Sequence, residues 1–159
     1  MNAVADNRPA LIEDDIIARL VEYLLGINGW PDYHNAIQGN VIQDLPLNQI
    51  ISEEQRYPVI CVNETANPST DQDIQVLGDG RAEYTFTPAV QIVGVHERDQ
   101  ARRLRADIMK AIPLRAWPAV RTVTLVDSAL AFQPGNSALL VVLVNYQFTY
   151  SRVIGHTVT

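Results

Sequence analysis

Ala138-Leu139-Leu140-Val141-Val142-Leu143-Val144-Asn145-Tyr146-Gln147-Phe148-Thr149-Tyr150-Ser151-Arg152-Val153 is the stretch on which the fold turns. No Gly or Pro interrupts it, and β-branched and aromatic residues dominate, so it reads as one long strand. Its first half is apolar on both faces. Its second half alternates, with Tyr146, Phe148 and Tyr150 on one side and Asn145, Gln147, Thr149 and Ser151 on the other. A strand commonly ends after about five or six residues. This one runs further, so its end, Tyr146–Val153, is expected to project from the sheet and meet a neighbour. The turn cluster Gln133-Pro134-Gly135-Asn136-Ser137 precedes it, and the β-rich run Arg121–Phe132 precedes that. The pair reads as an antiparallel hairpin.

Upstream, the texture changes to helix. From His96 to Ile112, Ala101, Leu104, Ile108 and Ala111 or Ile112 recur at helical spacing, and Pro113 ends the run. Its other faces carry Arg98, Arg102, Arg103 and Arg105, the one basic concentration in the chain. Glu97, Asp99 and Asp107 are placed to balance it by local ion pairs; Arg102 and Arg105 are also candidates for an intersubunit salt bridge. Directly before this helix, Ala82–Val95 alternates as a strand, with Pro88 marking an edge or a bulge. Gly78-Asp79-Gly80 is the turn of a hairpin with Ile74–Leu77. Tyr57–Asn63 is a further strand, and Asn67–Asp73 a polar loop.

The clearest helix is Leu11–Leu25. Ile12, Ile16, Leu20 and Leu24 step by four, Ile17 and Val21 widen the stripe, and Glu13, Asp14 and Asp15 suit the positive end of the helix dipole. Gly26 stops it. Between this helix and Tyr57 the chain is broken by Gly and Pro yet keeps Trp30, Tyr33, Val41, Ile42, Leu45, Leu47, Ile50 and Ile51. A short helix or strand is expected around Asp44–Ser52, and a long, partly apolar connection of this kind suits a contact surface. Residues 1–9 read as a polar arm, 10–153 as a single domain and 154–159 as a tail. The order of elements predicts an α+β fold: an antiparallel sheet with two main helices packed on one face.

Composition narrows the function. The 159 residues are 47% hydrophobic and 19% charged, a globular balance rather than a disordered one. A net charge of −6, from 12 basic and 18 acidic residues, suits repulsion of DNA better than a grip on its phosphates. Met1–Pro9 lacks the basic and apolar regions of a secretory leader, and no run approaches the roughly 18 apolar residues of a membrane span. A cytoplasmic site of synthesis and no membrane partner are expected.

No catalytic constellation stands out. The single cysteine, Cys61, sits in an apolar strand and reads as a buried hydrophobe. His34, His96 and His156 lack metal-ligand spacing, although Asp32-Tyr33-His34 leaves open a metal-dependent hydrolase using a distant carboxylate. There is no Gly-x-Ser-x-Gly elbow, and Gly78-Asp79-Gly80 leads into a strand rather than a helix, which rules out a nucleotide fingerprint. Neither a cofactor nor a metal is expected.

The succession of Leu11–Leu25, of Tyr57-Pro58-Val59-Ile60-Cys61-Val62, of Glu83–Val93 running into His96–Ile112, and of a closing pair ending in Leu143–Tyr150 resembles the tail terminator and related tail-completion proteins of long-tailed bacteriophages. The resemblance spans residues 10–153 and is one of layout, without a diagnostic motif. It implies a homohexameric ring in the virion, at the head-proximal end of the tail, capping the tail tube protein and joining it to the head–tail connector protein, with DNA passing through the lumen unbound. It transfers no catalytic residue. Subunit contacts are expected at Trp30, Tyr33, Ile42, Leu45, Tyr146, Phe148, Tyr150, Arg102 and Arg105. The competing readings are another tail or neck component (a tube or connector-completion protein), the small hydrolase, and a monomeric adaptor.

Overall fold

The computed structural model describes residues 11–37, 40–43, 58–63, 74–76, 81–133 and 136–153. The elements run α1 (Ile12–Leu25), β1 (Val41–Gln43), β2 (Val59–Asn63), β3 (Ile74–Val76), β4 (Arg81–Phe86), β5 (Ala89–Val95), α2 (Arg98–Ala111), β6 (Thr122–Gln133) and β7 (Asn136–Val153). The expected α+β architecture is present: among the described residues, one seven-stranded sheet carries two helices on one face.

The last strand is the spine of that sheet. β6 pairs antiparallel with it along one side, from Thr122↔Thr149 to Gln133↔Asn136. β5 and β4 follow each other along its other side, also antiparallel. The register does not slip between them, since Phe86 faces Phe148 and Ala89 faces Asn145. Residues 81–95 therefore act as one strand with a gap at Thr87–Pro88. β2 flanks β5 and β3 flanks β4, but neither pairs with residues 85–88. Pro88 thus occupies a local edge, where a missing N–H costs no ladder bond. β1 adds to β2 in parallel.

The alternation in β7 decides what is buried. Val142, Val144, Tyr146, Phe148 and Tyr150 enter the main core with Ile16, Leu20 and Leu24 of α1 and Leu104 and Ile108 of α2. Phe148 meets Trp117 edge-on at 4.7 Å, and Tyr150 stacks on Tyr84 at 5.6 Å. On the opposite face Val59, Cys61, Val93 and Val141 make a second, smaller cluster, joined by Ile42 and Leu143. This is why the first half of the strand is apolar on both sides. Cys61 is free and buried, as expected.

Three expectations need correction. The segment Tyr146–Val153 does not project, because β4 pairs with it as far as Val153. Tyr146, Phe148 and Tyr150 are only 1%, 0% and 0% exposed, so they fill this protomer's own core and offer nothing to a neighbour. Asp107 is 1% exposed, so it does not balance the arginines on the outer face of α2.

β6 carries a bulge. The pairing shifts between Leu125↔Tyr146 and Asp127↔Asn145, leaving Val126 as the extra residue, exposed to solvent. The bulge restores phase: Val123 and Leu125 before it, and Leu130 after it, all pack on the main core. Without it, the side-chain period of two would turn Leu130 outward. Among the described residues no strand pairs with the outer side of β6.

Leu45, Asp44–Ser52, Asn67–Asp73, Gly78–Gly80 and both terminal segments lie outside the described residues.

Candidate functional site

The segment between α1 and β1 is built to present one side chain. Gly26 ends α1 with its N–H bonded to the Tyr23 carbonyl at 3.1 Å. Ile27 and Ile37 are both buried, and the Ile37 N–H bonds the Ile27 carbonyl at 3.0 Å, closing residues 27–37 into a compact loop. Gly29 turns the chain at φ 91°, a conformation that L side chains rarely adopt. Trp30 follows, 87% exposed at the tip.

α2 holds this loop from below. Asp107 falls within the apolar arc of the helix, between Leu104 and Ile108 and the opposing loop. Its Oδ1 accepts from the His34 backbone N–H at 2.9 Å, and its Oδ2 accepts from the Asn35 N–H and Nδ2, each at 2.9 Å. These charge-assisted bonds are what make a buried aspartate tolerable. One turn on, the Lys110 ammonium donates to the Asp32 carbonyl and stands 5.1 Å over the Tyr33 ring. Trp30, Tyr33, Ala106, Asp107 and Lys110 line a groove of about 290 Å³ along the helix.

The polar groups of the groove are largely committed within the protomer. The groove does bring Asp32, His34 and a distant carboxylate, Asp107, to one place. However, both Asp107 oxygens are already committed to the loop, and the His34 bond is made by its backbone. Among the described residues no group of three or more His, Cys, Asp or Glu is placed to hold a metal ion.

The outer face of α2 continues from the groove. Arg98, Asp99, Arg102, Arg103, Ala106, Met109 and Lys110 are exposed, and Arg105 is half-buried. Arg102 reaches Asp99 at 3.9 Å. Both groups are well exposed, and such pairs contribute about 0–1 kcal/mol. Of the other expected contact residues, Tyr33 is half-buried under Lys110, and Ile42 lies on the far side of the sheet with the second cluster.

Sequence reasoning missed the pairing of α2 with the Trp30 loop. Asp107 carried the available signal: a charged residue inside a helix's apolar arc requires partners.

No protein-family model matches the chain, and no curated protein matches it. Among solved structures, it is similar to a chain described as "Virion of native gene transfer agent (GTA) particle", with a TM-score of 0.55 and 8% sequence identity, over 86% of this chain and 92% of that one. At that identity the likeness is one of fold, and it extends across nearly the whole of both chains.

Proposed function

We propose that this protein is a virion structural component without catalytic activity, and specifically a tail terminator: a ring of identical subunits that caps the head-proximal end of a phage tail tube and joins it to the head–tail connector. The observation that carries this reading is the fold likeness, nearly end to end, to a chain of a gene transfer agent virion. It agrees with the layout resemblance to tail terminators. An exposed Trp30 on a loop anchored by Asp107 also supports assembly, since burying a large apolar side chain contributes about 1.5–3 kcal/mol. Trp30, Tyr33, Ile42, Leu45, Arg102 and Arg105 remain the proposed contact residues. The acidic balance suits a lumen through which DNA slides unbound.

Native mass spectrometry of the purified protein, alone and with isolated tail tubes, tests this. Rings of a single mass, or rings seated on tube ends in electron micrographs, are the expected result. A stable monomer that does not bind tubes overturns it. Binding along the tube rather than at its end favours the alternative, another tail or neck component.

A further inference from the structure

α1 and α2 present opposite charge to solvent. The exposed stripe of α1 is Leu11, Asp14, Asp15, Ala18, Glu22 and Leu25. That of α2 is mainly basic: Arg98, Arg102, Arg103 and Lys110 flank Ala106, with Met109 beside it and Asp99 as the acidic exception. Within the protomer Arg102 meets Asp99 at 3.9 Å, an exposed contact, and most of the remaining charge on both stripes has no ion-pair partner among the described residues. Among the described residues no ion pair engages Asp14, Asp15, Glu22, Arg98, Arg103 or Arg105, and Asp107 is withdrawn into the loop contact. The basic face is conspicuous on a chain of net charge −6.

We infer that the acidic face of α1 on one copy docks on the basic face of α2 on the next copy, an inference that rests on the ring reading above. The spacing supports the match. Each stripe has one alanine near its middle, Ala18 and Ala106, where two helices can approach closely. With these alanines opposed and the helices running the same way, equal rise per residue sets Asp14 level with Arg102, Asp15 with Arg103 and Glu22 with Lys110. Trp30 borders Ala106 and Lys110 in the groove, so it closes one rim of the contact. A contact between two different faces leaves a free α1 on one copy and a free α2 on the other. It therefore propagates, and it closes into a ring when the rotation allows.

A charge exchange tests this. One variant carries Arg102→Glu and Arg103→Glu; the other carries Asp14→Arg and Asp15→Arg, the partners of those two arginines in this register. All four positions are outside the core, and circular dichroism melting checks that each variant folds. Should either not fold, the single reversals Arg103→Glu and Asp15→Arg replace the double ones. Mass photometry at low and high salt is the readout. The wild type is expected to assemble, more weakly in high salt; each reversed variant assembles at least tenfold less tightly alone, and an equimolar mixture regains assembly. Variants that assemble like the wild type, or a mixture that does not recover, overturn the contact while leaving the ring intact. A wild type that stays monomeric even on tube ends overturns both.

Discussion

The Tyr150 hydroxyl donates a hydrogen bond to the Glu13 carboxylate, joining the last strand to the first turn of the first helix across 137 residues of sequence. Glu13 is 8% exposed, so its charge depends on such partners. Removing a donor from a buried acceptor costs about 1–3 kcal/mol, more than the bond's net contribution. Tyr150→Phe should therefore destabilise the fold by about that amount in urea unfolding. The double variant with Glu13→Gln should lose less than the two single losses added together. Additive losses would show that the two groups are not coupled.

Asp107 should behave as the anchor of the Trp30 loop. Asp107→Ala strips three donors of their acceptor, and a loss of about 3 kcal/mol is expected. Hydrogen exchange locates the effect: the His34 and Asn35 amides should speed up well before those of β7. Unchanged protection at both amides would refute the anchoring role.

The chain's two tryptophans sit in opposite environments, which makes assembly visible by fluorescence. Trp117 is buried, donates its indole N–H to the Pro113 carbonyl at 2.6 Å and meets Tyr23 and Phe148 edge-on, whereas Trp30 is open to water. Trp30→Phe should leave a blue-shifted emission protected from acrylamide. In Trp117→Phe the remaining emission should be red-shifted and readily quenched in the monomer, then protected on assembly. Quenching that stays the same in the assembled state would remove Trp30 from the contact.

High pH should loosen the core through Tyr146. Burial pushes its phenol up to about 12, from an ordinary value of 10.0. The unfolded chain thus releases this proton first, and the stability linked to it, present in full below pH 10, is lost as pH rises towards 12. The loss is on the order of 2 kcal/mol. Tyr146→Phe should flatten the fall in melting temperature over that window; an equally steep fall in the variant would assign it to other groups.

Much of the architecture was legible from periodicity. The steps of four in Ile12–Leu24 and the arc of Ala101, Leu104 and Ile108 specify both helices within a residue or two of their ends. The alternation around Phe148 gives the strand and the identity of its two faces. What it does not give is the cover: the same Tyr146, Phe148 and Tyr150 suit a neighbour's surface or the protomer's own helices, and α1 and α2 take them. The site was less legible because its halves are distant in sequence. Nothing near Trp30 announces that Asp107 and Lys110 hold its loop. The bulge at Val126 was also silent, since one extra residue in a uniformly β-rich run leaves no compositional mark.

The bulge in β6 also bears on how the free chain resists aggregation. Among the described residues nothing pairs with the outer side of β6, and a flat ladder of its twelve residues would be a template on which a stray extended chain could nucleate a fibril. Added local twist at Val126 breaks the flatness part-way along. One inserted residue thus guards the free chain against zipping edge to edge with another extended chain.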